Sequence, residues 1–384
     1  MAFTFSTVPS IISAPGAIAR LGEIAKARLG ARALVVTDPL LVKLGIVERG
    51  LDSLRKAGVE ASVFDAVEAD PPEACVMAAV EMARGMNATG IVGFGGGSSL
   101  DVAKLVALLV KTPQSLASTY GVGKASDARL PLILAPTTAG TGSEATAVAV
   151  VTTTGADKMG TVSPLLLPDV ALLDPELTLG LPPAVTAATG IDAMVHAIEA
   201  FTSINPNNSP LSQALAREAL RLLGANIRKV VDNGADIAAR EAMLNGSLLA
   251  GMAFANASVG AVHALAYPLG GHYHLPHGLT NALVMPEVMR FNAPACAAQY
   301  AHLAHIVFDD APDGDDARVA DFFIESLAKL ATDIGIPARL RDVKITENAL
   351  SMLAADVMKQ TRLLVNNPRP VTEEDALAIY RQAF

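Results

Sequence analysis

The stretch TGIVGFGGGSSLDVAK, Thr89 to Lys104, decides the reading of the first half of the chain. Thr89 to Gly93 is a short apolar run and predicts a strand; it leads into Gly95-Gly96-Gly97, and a helix follows from about Ser99 to Val110. Consecutive glycines let the backbone approach a ligand closely. The helix beyond them offers unpaired N–H groups and the positive end of its dipole to an anion. A pyrophosphate suits that place, with Ser98 and Ser99 as donors, although a plain glycine-rich connection of an α/β fold would use the same residues. The spacing is not G-x-G-x-x-G, because Ser98 stands where the third glycine would be.

Outward from this stretch, short β-branched runs alternate with amphipathic segments. Residues 33–37, Ala61 to Phe64 and Leu132 to Ala135 read as strands; Ile46 to Lys56 and Glu73 to Arg84 read as helices. That alternation predicts a mostly parallel sheet covered on both faces. Prolines then punctuate Pro168 to Pro183, and beyond them the pattern is helical: Ala184 to Phe201, Leu211 to Val231, Ala238 to Ala257, Val259 to Ala266 and onward to Phe384. Thr372, with Glu373 and Glu374, reads as the N-cap and acidic first turn of the last helix. An α/β domain over residues 1–181 and an all-helical domain over 182–384 are expected.

Composition narrows the function. The chain of 384 residues is 51% hydrophobic and 17% charged, which excludes a disordered protein, and its net charge of −9 with no basic block argues against nucleic acid or an anionic membrane as partner. Cys75 and Cys296 cannot form a disulfide framework or a thiolate metal site. Lys104 and Lys111 bracket the most apolar stretch, and the start Met-Ala-Phe-Thr-Phe-Ser lacks the features of a signal peptide. A cytoplasmic, enzyme-sized protein is expected.

Asp38 ends a strand and could accept hydrogen bonds from ribose hydroxyls while repelling a 2′-phosphate, which would favour NAD over NADP; it could equally be a turn former. It precedes the glycine loop, whereas the Rossmann order places the acid about 20 residues after it. Residues 136–146 (PTTAGTGSEAT) are dense in hydroxyls, so Thr137, Thr138 and Thr141 could line phosphate, ribose or nicotinamide. Thr141 to Glu144 also fits a capping box.

Four of the seven histidines fall within 263–277. Asp192 and His196 are four residues apart on a helical segment and project from one face. His263 lies in another apolar helical stretch, and His277 follows in a loop bounded by glycine and proline (LGGHYHLPHG). Together they offer one oxygen and two or three nitrogen donors without a thiolate, a set suited to divalent iron or zinc. His302 and His305 read as surface or packing residues.

These residues resemble the iron-containing (group III) alcohol dehydrogenase family along essentially the whole chain. The matching motifs are GGGSSLD (Gly95 to Asp101), PTTAGTGSE (Pro136 to Glu144), GIDAMVHAIEA (Gly190 to Ala200) and VHALAYPLGGHYHLPHG (Val262 to Gly278). The resemblance implies a dehydroquinate-synthase-like fold, with an N-terminal dinucleotide-binding domain and an all-α C-terminal domain. It implies metal ligands at Asp192, His196, His263 and His277, with Fe2+ ahead of Zn2+. It implies NAD held by Asp38, Gly95, Gly96, Gly97, Ser98, Asp101, Thr137, Thr138, Thr141 and Lys158. It also implies a homodimer, with an N-terminal strand near Phe3 to Val8 in the subunit contact. The reaction implied is hydride transfer between NAD(H) and a small primary alcohol or aldehyde, a hydroxy acid being a variant. Many relatives carry a second histidine four residues after position 263; here it is Tyr267, whose phenol titrates far from neutral, so His272 or His274 could take over a proton relay. Two alternatives share the architecture: a metal-independent keto-acid reductase of the maleylacetate type, and a sugar-phosphate cyclase. The Asp192–His196 pair speaks against the first, and the lack of a Lys/Arg cluster beside the histidines against the second.

Overall fold

The computed structural model describes residues 2–153 and 158–384. They form two compact units: Ser6–Gly180, and Leu181–Phe384 joined by the segment ending at Phe5.

In the first unit the elements run β1 (Ile11–Ser13), α1 (Leu21–Arg28), β2 (Arg32–Val36), α2 (Pro39–Lys43), α3 (Ile46–Lys56), β3 (Glu60–Phe64), α4 (Glu73–Gly85), β4 (Gly90–Gly95), α5 (Gly97–Lys111), β5 (Gly121–Val122), β6 (Leu132–Pro136), β7 (Val148–Thr152), β8 (Lys158–Val162) and β9 (Val170–Leu173). Six strands make one parallel sheet in the order β1-β9-β6-β4-β2-β3. Its inner strands read as unbroken apolar runs because both faces are covered. Leu34, Val36, Ile91, Leu132 and Leu134 pack with α4 and α5, while the alternate residues Ala33, Val35, Val92, Phe94 and Ile133 pack with α1 and α3.

Three features depart from the sequence expectation. The strand expected at Phe3 to Val8 is absent; β1 begins at Ile11. β9 lies inside the proline-punctuated stretch, where four residues are too few to show a period. Finally, β7 and β8 pair antiparallel in a separate three-stranded sheet with β5.

The glycine loop is tighter than three glycines suggest. β4 stays paired through Gly95 opposite Pro136, and α5 begins at Gly97, so Gly96 alone connects them. Gly95 has φ +153°, and a Cβ there would lie 2.7 Å from Ser99. A Cβ on Gly97 would lie 2.8 Å from the Thr141 methyl.

Behind this loop the side chains of α5 grip the segment after β6. The fully buried Lys104 donates to Ser143 Oγ (2.7 Å), Thr146 Oγ1 (3.0 Å) and the Val148 carbonyl (2.8 Å). Asp101 accepts from Ser143 Oγ (2.6 Å) and the Val150 N–H (2.9 Å). The capping box expected at Thr141 to Glu144 does not form: a short 3-10 turn starts at Ser143 with Gly142 as its uncapped start, and the Ser143 N–H donates back to Thr141 Oγ1 (3.2 Å). Glu144 is buried instead. Burial pushes its carboxyl up to about 7, partly offset by its own backbone and by Lys104.

The second unit contains α6 (Pro183–Thr202), α7 (Pro210–Asp232), α8 (Ile237–Ala257), α9 (Ala261–Tyr273), α10 (His277–Val307), α11 (Asp316–Asp333), α12 (Leu350–Val357), α13 (Thr361–Leu364) and α14 (Glu373–Ala383). Thr372 caps α14 as expected, its hydroxyl accepting from the Asp375 N–H. α9 outruns its expected end at Ala266, continuing through Pro268 to Tyr273. The expected loop LGGHYHLPHG therefore shrinks to residues 274–276, and His277 opens α10. Gly278 sits so close to α6 that a Cβ would meet the Ala188 carbonyl oxygen at 2.3 Å. Among the described residues no single helix is long and apolar enough to cross a membrane.

Glu144 gives the first unit a pH signature. Its proton is kept in the folded chain but released by the unfolded chain between about pH 4.5 and 7, so its contribution to stability is full at low pH and fades as pH rises through that window. Glu144→Gln removes the titration. Across this window the wild type should lose roughly 3 kcal/mol relative to the variant, read by urea unfolding at each pH. Parallel stability curves would show that Glu144 is ionised in the native chain.

Candidate metal centre and dinucleotide cradle

α6 presents Asp192, His196 and Glu199 at i, i+4 and i+7, one face of the helix. α9 supplies His263, and the first turn of α10 supplies His277. One ligand atom from each of Asp192, His196, His263 and His277 lies within 4.8 Å of every other. His263 Nε2 and His277 Nε2 stand 4.0 and 3.9 Å from Asp192 Oδ1. The close approach at Gly278 is what lets α10 bring His277 up to Asp192.

Burial would raise the Asp192 carboxyl, which is 2% exposed, but His196, His277, His263 and the Asn281 amide outweigh it and hold it below the usual carboxylate range. The His196 ring is stacked on Phe254 (4.3 Å between centroids) and on His263 (4.6 Å). Glu199 receives His263 Nδ1 at 2.6 Å and the Val262 N–H at 2.7 Å. Asn281 Nδ2 donates to Asp192 Oδ1 (2.6 Å) and lies 3.3 and 3.2 Å from Nε2 of His263 and His277. With one N–H given to Asp192, the amide has one left to share between these two ring nitrogens, and the buried Oδ1 of Asn281 is left without a partner. One carboxylate and three imidazoles converging without a thiolate fit a divalent iron or zinc ion.

Tyr267 lies beside this group, its ring 5.8 Å from that of His277. His272 does not join it. Its Nε2 pairs with Asp356 Oδ2 at 2.6 Å, and nine helical residues separate it from His263, roughly 13 Å of rise. The expectation of a relay through His272 is therefore corrected. His274 is exposed and closes α9 with φ +53°. His302 stacks on Phe201, a packing role.

Glu199 and Asn281 were not anticipated from the sequence. Both carry a signal that could have found them: Glu199 continues the Asp192–His196 face by one turn, and Asn281 follows His277 by four residues.

In the first unit three strand ends meet. β2 neighbours β4 and β4 neighbours β6, so Asp38, Gly95 to Ser98, and Thr137 to Thr141 follow strands that lie side by side. The chain goes from β2 outward to β3 and returns to β4 on the other side of β2. This reversal is a topological switch point, where open α/β sheets bind ligands beyond the strand C-termini. The Thr137 N–H bonds the Gly95 carbonyl at 2.9 Å, and Thr138 flanks Gly96. Gly96, Gly97 and Ser98 are partly open, and α5 starts there with no side-chain cap on its N–H groups.

Several expected cofactor residues have other work. Asp38 Oδ1 caps α2, accepting from the Leu40 and Leu41 N–H groups at 3.0 Å each, and Oδ2 takes no part in the cap. Both oxygens of Asp101 accept bonds in the clamp on residues 143–150. Thr141 packs its methyl on Gly97 and uses its hydroxyl on Ser143. Lys158 is tied to Asp70 at 2.7 Å.

Comparison with known proteins agrees with these features. Residues 9–175 match the iron-containing alcohol dehydrogenase model, and residues 186–384 match the C-terminal model of the Fe-containing alcohol dehydrogenase family. Long-chain-alcohol dehydrogenase 1 of Geobacillus thermodenitrificans is 43% identical over 361 residues, covering 93% of this chain and 91% of that protein. The crystal structure of a 1,3-propanediol oxidoreductase superposes with a TM-score of 0.96 at 38% identity, covering 100% of both chains. A sulfoacetaldehyde reductase from Bifidobacterium kashiwanohense, solved in complex with NAD+, superposes with a TM-score of 0.88 at 30% identity over 100% of this chain and 99% of that one. With both halves matched in order, the chain belongs to the iron-containing alcohol dehydrogenase family.

Proposed function

We propose that this chain transfers hydride between NAD(H) and small primary alcohols or their aldehydes, with a divalent metal, iron ahead of zinc, held by Asp192, His196, His263 and His277. The observation that carries the reading is the convergence of those four donors in a buried place, within a chain of this family. A cation bound there supplies a Lewis acid for the substrate oxygen, and NAD supplies the hydride acceptor.

The chain's own residues bind and orient. Gly95 to Ser98 and the start of α5 offer N–H groups to a pyrophosphate, with Thr137 and Thr138 alongside. Asp38 Oδ2, outside the cap, would accept from a ribose hydroxyl and discourage a 2′-phosphate. Phe254 covers one face of His196 and shields it from water. Tyr267 places a phenol, able to donate a hydrogen bond, beside His277. The outer edge of β1, with Ile11 exposed, supports pairing with a second copy of the chain, and the free Cys75 and Cys296 suit a reducing, cytoplasmic setting.

The reading is tested by assaying NADH formation from a panel of short alcohols, diols and hydroxy acids after loading with iron(II) or zinc. Activity with primary alcohols that disappears on chelation and returns with metal is expected; no alcohol-dependent NADH under any loading would refute it.

His277→Ala should lower bound metal from about one per chain to near none and cut kcat/KM at least ~100-fold while the helical circular-dichroism signal persists. Full metal content would remove His277 from the ligand set. Asp38→Gly should raise the NADP/NAD ratio of kcat/KM by roughly tenfold, the effect of about 1.4 kcal/mol of lost repulsion; an unchanged ratio leaves Asp38 as a helix cap alone.

A further inference from the structure

The buried acids and bases of the second unit include one that ligates nothing in the proposed set yet makes two short bonds inside it. Glu199 is 7% exposed and sits on the same face of α6 as Asp192 and His196. Its Oε2 is 2.6 Å from His263 Nδ1 and its Oε1 is 2.7 Å from the Val262 N–H, so one carboxylate holds both the imidazole and the backbone carrying it. A carboxylate only accepts, so Nδ1 bears the proton, and in the neutral ring Nε2 is the nitrogen left with a lone pair. That lone pair points toward Asp192 Oδ1, 4.0 Å away. Glu199 also lines a cavity of about 10 Å³ together with Thr202, Asn292, Tyr300 and Asn367.

We propose that Glu199 is a positioning residue for the metal: it locks His263 in the tautomer and ring orientation that offer Nε2 to the cation, and it adds a second buried negative charge behind that ligand. The inference rests on the metal reading above. In such sites the outer partner raises the basicity of the ligand nitrogen and governs metal affinity.

Glu199→Gln preserves size but has a single acceptor oxygen. It can take the Val262 N–H or the His263 Nδ1–H, and the other meets an amide N–H. If the imidazole turns to the opposite tautomer to escape this, Nε2 carries the proton and cannot bind metal. The full-length variant should therefore bind zinc about 10–100-fold more weakly than wild type in competition with a chromophoric chelator. Its metal-free form should melt within a few degrees of the metal-free wild type, and the visible spectrum of the cobalt(II)-loaded protein should shift. Zinc affinity within twofold of wild type, with an unchanged cobalt spectrum, would overturn the proposal. Should the variant not fold, metal-free wild type labelled with ¹⁵N-histidine gives the same decision: the His263 proton belongs on Nδ1 before any metal is added, and finding it on Nε2 overturns the role of Glu199. A wild-type chain that takes up no zinc or iron overturns the metal assignment itself, an outcome distinct from equal binding by wild type and variant.

Discussion

A carboxylate removed from water must be matched by positive charge or by donors, and in the second unit Asp192 sets that demand. Three imidazoles and an amide meet it from three helices: His196 along the same helix, His263 from the first turn of α9, His277 and Asn281 from the start of α10. The helix approach at Gly278 and the stacking of Phe254 on His196 serve the same end. Packing here holds the ring nitrogens where electrostatics needs them, and the result is a set of lone pairs aimed at one point.

The first unit faces a different problem under the proposed reading, the binding of a pyrophosphate by neutral groups. It does so with strand ends rather than with basic side chains, which suits a chain of net charge −9. Adjacent strands deliver an acid, a glycine turn and a run of hydroxyls to one edge of the sheet. The Lys104 and Asp101 clamp then fixes α5 to the segment beyond β6. Lys104 spends its ammonium on interior oxygens, and burial lowers its basicity while Asp101 and Glu144 partly restore it.

Much of this was legible in the residues. β2, β3, β4 and β6, the helices between them, and the Asp192–His196 face followed from apolar runs and helical spacing, because buried parallel strands and amphipathic helices write strong local patterns. β9 and the β5-β8-β7 sheet did not, being short and dependent on partners far along the chain. The extent of α9 was hidden by Pro268, Gly270 and Gly271, residues that usually end helices and here do not. The partners of Asp101, Lys158 and His272 were not legible for one reason. Each is a polar residue near a motif, and only the fold reveals that its charge is already committed to Ser143 and the Val150 N–H, to Asp70 and to Asp356. Glu199 and Asn281 were overlooked because a residue that holds a ligand, rather than binding metal, leaves no mark of its own in a single sequence.

The single-residue turn at Gly96 also bears on how such a chain can change. A connection this short has no slack: an inserted residue would break either the pairing of β4 with β6 or the first turn of α5, and a side chain at Gly95 or Gly97 has no space to enter. The turn is therefore a rigid template. Divergence in which nucleotide is accepted would have to be written on the neighbouring strand end, after β2, in the side chain at position 38.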